Sequence, residues 1–389
     1  MSDAREPNRR DFLSGRAVAR SAQAAAESVA DALAGDAPRR PPAYLLHVGR
    51  SAMACEFEIV LNAGEYPEGP EVALRALDTV EQLEAQLTVY RDSSEVSQLN
   101  ALAASEPVVV AENLFALLSQ AVQLGADTAG AFDITAGPLS KVWGFYRRAG
   151  RVPGEEELRA ALERVGHRYL ELDPQQRSVR FLREGVEINL GAIGKGYALD
   201  CCAALLTAAG IGDFLLHGGT SSILARGSRA GGREGDRGWT VALRHPFRPE
   251  QRLAEFRLRD RALGTSGSAA QHFFHQGKRY GHILDPRTGQ PADAVVSATV
   301  LAPTAALADA LSTAFYVLGA EGAAHYCATH PEVSAWLVLP DSRAGAARCV
   351  RLNWRAEDED QGAGEGDDEG QGLDEGEKNS PAAEPRGTQ

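Results

Sequence analysis

Three stretches of the chain concentrate residue types that can do chemistry. In the first, residues 264–291 read GTSGSAAQHFFHQGKRYGHILDPRTGQP, a density of small, polar and titratable side chains that a core segment does not need. His282 lies three residues before Asp285-Pro286, and Thr288-Gly289 closes a turn whose proline fixes φ and whose glycine tolerates positive φ. An imidazole titrating at about 6.5 beside a carboxylate is equipment for proton transfer. A plain hairpin with a surface histidine has the same local signature, so the other stretches must decide between the two.

In the second stretch, Asn189-Leu190-Gly191-Ala192-Ile193-Gly194-Lys195-Gly196, glycines at 191, 194 and 196 surround one lysine. The spacing is neither a Walker loop nor GxGxxG. Its physics is still that of anion binding: close backbone approach, N–H groups at a helix start and a cation. A further small-residue loop, His217-Gly218-Gly219-Thr220-Ser221-Ser222, ends a later strand. The third stretch follows Pro303-Thr304, where Asp309 and Thr313, four apart, share one face of an Ala- and Leu-rich helix. A carboxylate and a hydroxyl there are costly to bury unpartnered. Capping by loop amides is one answer; a hard cation such as Mg²⁺, which takes oxygen ligands and a substrate phosphate, is the other.

Periodicity supplies the elements that must position these groups. Apolar residues Val72, Leu74, Leu77, Val80, Leu83 and Leu87 predict a helix over 69–87, with further helices over 112–128, from after Gly137-Pro138 to Trp143-Gly144-Phe145, and over 155–165, 194–209 and 305–318. Asp92 to Glu95 caps a short helix to Asn100, leaving Tyr90 at a helix-to-loop junction. Residues 44–62 read as strand, with 56–61 as an edge strand and Met53 among small residues before it. Asp133 and Thr135 alternate onto one face ahead of Gly137-Pro138, which breaks the run. Hairpin and strand patterns cover 169–188, 214–216, 239–243, 252–258, 278–284, 297–302, 332–339 and 348–353, with Glu187 entering the glycine-rich bend as strand.

The 389 residues, 44% of them hydrophobic, are enough for a substantial core. Net charge is −13, but the segment from Glu357 to the end holds twelve acidic residues against Lys378 and Arg386, leaving about −3 for the rest. So nearly neutral a body lacks the footprint of a nucleic-acid binder. Five cysteines form no CxxC pair, which argues against a zinc site or a disulfide framework, and no apolar run reaches membrane-span length. Asn8-Arg9-Arg10-Asp11-Phe12-Leu13 resembles a twin-arginine export signal. The apolar segment that should follow is interrupted by Arg16, Arg20, Glu27 and Asp31, so a cytoplasmic location is slightly favoured over export to the periplasm. The chain divides into an N-terminal extension over 1–43, a catalytic domain over 44–355 and an acidic tail from 356 expected to be disordered.

Five segments, taken together and in order, resemble the ApbE family of FAD:protein FMN transferases. They are Thr88-Val89-Tyr90-Arg91; Gly130 to Leu139 with Trp143-Gly144-Phe145; the Gly191 to Asp200 loop; Thr265-Ser266-Gly267 through His282-Ile283-Leu284-Asp285-Pro286 to Pro291; and Ala308-Asp309-Ala310-Leu311-Ser312-Thr313. The resemblance implies an α+β fold, one compact domain of helices and mostly antiparallel strands around a deep FAD cleft. It implies Mg²⁺-dependent transfer of FMN from FAD to a Thr or Ser hydroxyl of a target flavoprotein, with release of AMP. Asp309, Thr313 and the backbone at Ala192 are then the metal ligands. Met53, Tyr90, Asp133, Asn189, Lys195, Gly218, Gly219, Ser266, Gly267, His282 and Ile283 are expected to line the FAD site. His282 is the expected base, and Asp285 either orients it or shapes the turn. Thr220 stands where the family often has aspartate, and Ser268 to Gln271 replace the family's usual Tyr and Arg. Two alternatives use the same site: an FAD pyrophosphatase with water as acceptor, and a flavin-binding protein without turnover.

Overall fold

Alternating Val, Ile, Leu and Phe along eight segments build a sheet buried on both faces, and the chain's longer periodic segments cover one of them. The computed structural model describes residues 44–354 except 232–236, 249, 268–270 and 341–346. The N-terminal extension, the acidic tail and the Ser268 to Ala270 departure lie outside the described residues.

The strands are β1 (Leu45–Ala52), β2 (Cys55–Asn62), β3 (Val108–Val109), β4 (Leu170–Asp173) and β5 (Ser178–Phe181). Then come β6 (Phe214–Gly218), β7 (Ser222–Arg226), β8 (Trp239–Arg244), β9 (Arg252–Leu258) and β10 (Arg261–Gly267). The last five are β11 (His272–His275), β12 (Lys278–Gly281), β13 (Ser297–Ala302), β14 (Ser334–Pro340) and β15 (Ala347–Leu352). The helices are α1 (Gly69–Leu87), α2 (Glu95–Leu102), α3 (Glu112–Asp127), α4 (Gly137–Val142), α5 (Glu155–Leu162), α6 (Gly194–Ala208) and α7 (Ala305–Thr329). The main sheet runs β1-β2-β6-β7-β10-β13-β14-β15, every neighbouring pair antiparallel. Helix α6 packs between α1 and α7, and this layer buries Phe57, Ile59, Ala262 and Val300 on its side of the sheet. The β8-β9 hairpin covers the other face, where Trp239 and Phe256 meet Leu263 and Trp336. This is the α+β architecture expected from the sequence.

Several local expectations change in the tertiary setting. β2 is internal, because β1 folds back over it; β1 is the edge. In α1 the alanines Ala73 and Ala76 join the buried stripe while Leu74 stays exposed. The helix expected up to Trp143 is α4, and Gly137-Pro138 lie inside its first turn rather than before it, since proline there has no N–H to leave unpaired. Glu187 makes a single bridge to Ala136, not a strand. β12 stops at Gly281, so His282 to Leu284 leave the ladder, and α7 runs past residue 318 to Thr329 through a kink at Gly319, whose φ is +73°. Two glycines set how deep α7 sits. A Cβ at Gly196 would lie 2.1 Å from the Ala305 carbonyl oxygen, and one at Gly264 would lie 2.4 Å from the backbone of Ala308. Only hydrogen at both places lets the helix touch α6 and β10.

Candidate active site

The start of α7 is held on α6 by Asp200, whose carboxylate accepts the Ala305 and Ala306 N–H groups at 2.8 and 2.9 Å. That anchor, with the two glycines, delivers Asp309 to the end of the sheet where β7 begins and β10 ends. Asp309 Oδ2 accepts from Gly196 N at 2.8 Å, and Oδ1 accepts from Ser222 Oγ at 2.7 Å. Burial pushes its carboxyl up to about 6, and the charge of Lys195, with these two hydrogen bonds, works against that rise. One turn on, Thr313 Oγ1 lies 3.1 Å from Ser266 Oγ, which is also 2.8 Å from Ser312 Oγ.

Across the cleft, His282 is oriented by a backbone carbonyl. Its Nδ1 lies 3.0 Å from Gln271 O, and because a carbonyl only accepts, Nδ1 carries the proton and Nε2 is the free base. Burial, and secondarily Lys195, lower its pKa below the usual histidine value, while the Gln271 bond opposes them. The Phe145 ring stands edge-on to the imidazole, centroids 6.4 Å apart. Asp285 does not orient His282. Its carboxylate accepts from Arg287 N, Nε and Nη2, each at 2.9 Å, and its own N–H donates to Gln290 O. Of the two roles expected for it, the structure supports the turn.

These groups open onto one cleft of about 840 Å³, within the range of small-molecule and dinucleotide sites. Met53, Tyr90, Asp133, Asn189, Ala192 and Lys195 line it, as do Ser266, Gly267, His282, Ile283, Asp309 and Thr313. Gly218 and Gly219 are absent from its wall. Gly218 ends β6 and Gly219, at φ +67°, turns the chain toward Ser221, which lines the cleft, and on into β7. Asp133 is part of the wall, yet its carboxylate is spent inside: Oδ1 accepts from Thr135 N and Oγ1, and Oδ2 from His167 N. It shapes the wall instead of presenting a charge to the cleft. Asn189 Oδ1 likewise accepts from Gly191 N at 2.9 Å and fixes the glycine-rich bend.

At the mouth, exposed Tyr90 packs at a tilt of 32° against Tyr146, centroids 4.9 Å apart, and the Tyr146 hydroxyl donates to Val89 O at 2.8 Å. Met53 and Ala54 form the two-residue turn between β1 and β2 with φ of +49° and +59°. Left-handed values are uncommon for residues with a Cβ, and a two-residue hairpin turn is where both central residues adopt them. Sequence reasoning missed Ser221, Ser222, Ser312, Gln271 and Tyr146. Tyr146 follows the Trp143-Gly144-Phe145 signature directly and Ser312 adjoins Thr313, whereas the partnership of Ser222 with α7 carries no local signal, because strand pairing brings β7 and β10 under that helix.

The fold and cleft define an α+β protein with a dinucleotide-sized site furnished with a carboxylate, hydroxyls, a lysine and a neutral imidazole. The sequence profile of the ApbE family matches residues 53–337, and the chain belongs to that family. It is 36% identical over 281 residues to an FAD:protein FMN transferase of Treponema pallidum, covering 69% of this chain and 77% of that protein. It is 33% identical over 270 residues to the FAD:protein FMN transferase of Escherichia coli K12, covering 68% and 74%. Among solved structures, the ApbE protein of Thermotoga maritima superposes with a TM-score of 0.70 at 29% identity, covering 78% of this chain and 96% of that one. The flavin transferase ApbE of Vibrio cholerae gives 0.69 at 26% identity, covering 80% and 98%.

Proposed function

We propose that this protein is an FAD:protein FMN transferase that moves the FMN moiety of FAD onto a Thr or Ser hydroxyl of a target flavoprotein and releases AMP. The observation that carries this reading is the convergence of Asp309, Thr313, Lys195 and His282 on one dinucleotide-sized cleft, in a chain whose relatives bear that name. In the balanced step the acceptor oxygen bonds to the flavin-side phosphorus, and the bond from that phosphorus to the bridging oxygen breaks. AMP departs with the bridging oxygen and its electron pair, and the hydroxyl proton passes to His282 Nε2. A base held neutral by burial is already in the form that accepts a proton at pH 7. Lys195 offsets phosphate charge, and Asn189, by accepting from Gly191 N, fixes the bend that carries that lysine to the cleft.

The donor set of carboxylate, hydroxyl and backbone oxygen fits a hard cation, and a buried carboxylate with one protein donor on each oxygen retains lone pairs for one. Asp309, Thr313 and the backbone at Ala192 are the residues that would hold Mg²⁺, which supplies charge neutralisation at the pyrophosphate when bound.

The test is mass spectrometry of a candidate flavoprotein after incubation with this protein, FAD and Mg²⁺. An FMN adduct on a Thr or Ser, with one AMP per adduct, is the expected result, and Asp309→Ala should abolish both. Rapid release of FMN and AMP without any acceptor would replace this reading by a pyrophosphatase.

A further inference from the structure

Ser222 is the first residue of β7 and is fully buried on the face of the main sheet that α7 covers. It lies 87 positions from Asp309 in sequence, yet its Oγ donates to Asp309 Oδ1 at 2.7 Å. The second carboxylate oxygen is held by Gly196 N at 2.8 Å, so both oxygens are pinned from separate elements. In the sheet Ser222 is paired with Gly218 on one side and Gly264 on the other. The two glycines keep bulk away from both flanks of the hydroxyl. A Cβ at Gly264 would strike the Ala308 backbone at 2.4 Å, so that glycine also admits α7 to within reach of the strand. A hydroxyl buried among apolar strand residues is costly unless it has a partner, and here its partner is the one carboxylate that faces the cleft from α7.

We propose that Ser222 is a positioning residue that fixes the Asp309 carboxylate for cation binding, with Gly218 and Gly264 as the spacers that make room for it. The inference rests on the cation site proposed above. Outer hydrogen bonds of this kind set the orientation of a ligating carboxylate and commonly account for about 10- to 100-fold in metal affinity.

The experiment is calorimetric titration of the full chain with MgCl₂ in the presence of FAD, for wild type, Ser222→Ala, Ser222→Cys and Ser222→Thr, alongside the Mg²⁺ concentration giving half-maximal adduct formation. Thermal melting in EDTA reports folding independently of the metal. Ser222→Ala should weaken Mg²⁺ binding roughly tenfold or more and raise the Mg²⁺ requirement by the same factor, leaving the adduct yield at saturating Mg²⁺ largely restored. Ser222→Cys keeps nearly the same volume with a weak donor and should fall between Ala and wild type. Ser222→Thr keeps the hydroxyl and, where it melts in EDTA as wild type does, should bind Mg²⁺ within twofold of wild type. Folded Ala and Cys variants that bind Mg²⁺ within twofold of wild type would overturn the role of Ser222 alone. A wild-type protein that forms the adduct but binds no Mg²⁺ would overturn the cation site and this role together, and one that forms no adduct with any acceptor would overturn the transferase reading.

Discussion

His282 shows how environment, more than residue type, sets chemistry. The Gln271 carbonyl holds the proton on Nδ1, burial keeps the ring neutral, and Nε2 is left as acceptor. Because its pKa is lowered from the usual value, the ring stays in the basic form to a lower pH than a free histidine would. Activity should therefore fall only as pH drops below about 6.5, the ordinary histidine value. Replacing His282 with Asn should lower the single-turnover rate of adduct formation by ~10²- to 10⁴-fold while the FAD concentration at half-saturation changes little. The remaining acid limb should then report Asp309, held up to about 6 when no metal is bound. Mg²⁺ should move that limb lower, since a cation favours the carboxylate. A rate–pH profile measured at two Mg²⁺ concentrations checks both statements. The sequence left Asp285 either orienting His282 or shaping the turn, and in the fold Arg287 takes that carboxylate two residues on.

At the scale of elements, the site depends on how closely α7 approaches the sheet. Asp309 and Thr313 were legible as one helix face from their spacing, and Ser297–Ala302 as the strand before it. What the spacing could not show is that α7 rests on Gly196 of α6 and Gly264 of β10. Gly264→Ala should push α7 away from β10. Overpacking of this kind costs about 1–3 kcal/mol. The variant should melt lower in EDTA and bind Mg²⁺ more weakly, because Asp309 moves with the helix; melting curves and MgCl₂ titration report each effect. Met53 shows the same limit. Its type suggested packing or ligand contact, whereas its left-handed backbone follows from the two-residue turn between β1 and β2.

At the scale of the molecule, every side chain assigned a part in the cleft lies within the described residues, and the family match spans 53–337. A chain reduced to residues 44–355 should therefore keep its melting temperature and its rate of adduct formation; a large loss of either would give the flanking segments a part in the fold or the reaction. Without the acidic tail the net charge also moves from −13 toward neutrality, so the shortened chain should elute earlier from an anion exchanger. The sequence by itself determined the α+β class, most element positions and most wall residues, because hydrophobic period, turn residues and ordered motifs are written locally. Only the tertiary structure decided which polar groups face the cleft and which are spent on backbone. It tied Asp133 to Thr135 and to His167, Asp285 to Arg287 of its own turn, and placed Ser222 under Asp309. The reason is physical: a hydrogen bond between residues 87 positions apart exists only once strand register and helix depth are set. Those are properties of packing, and no single stretch of the chain contains them.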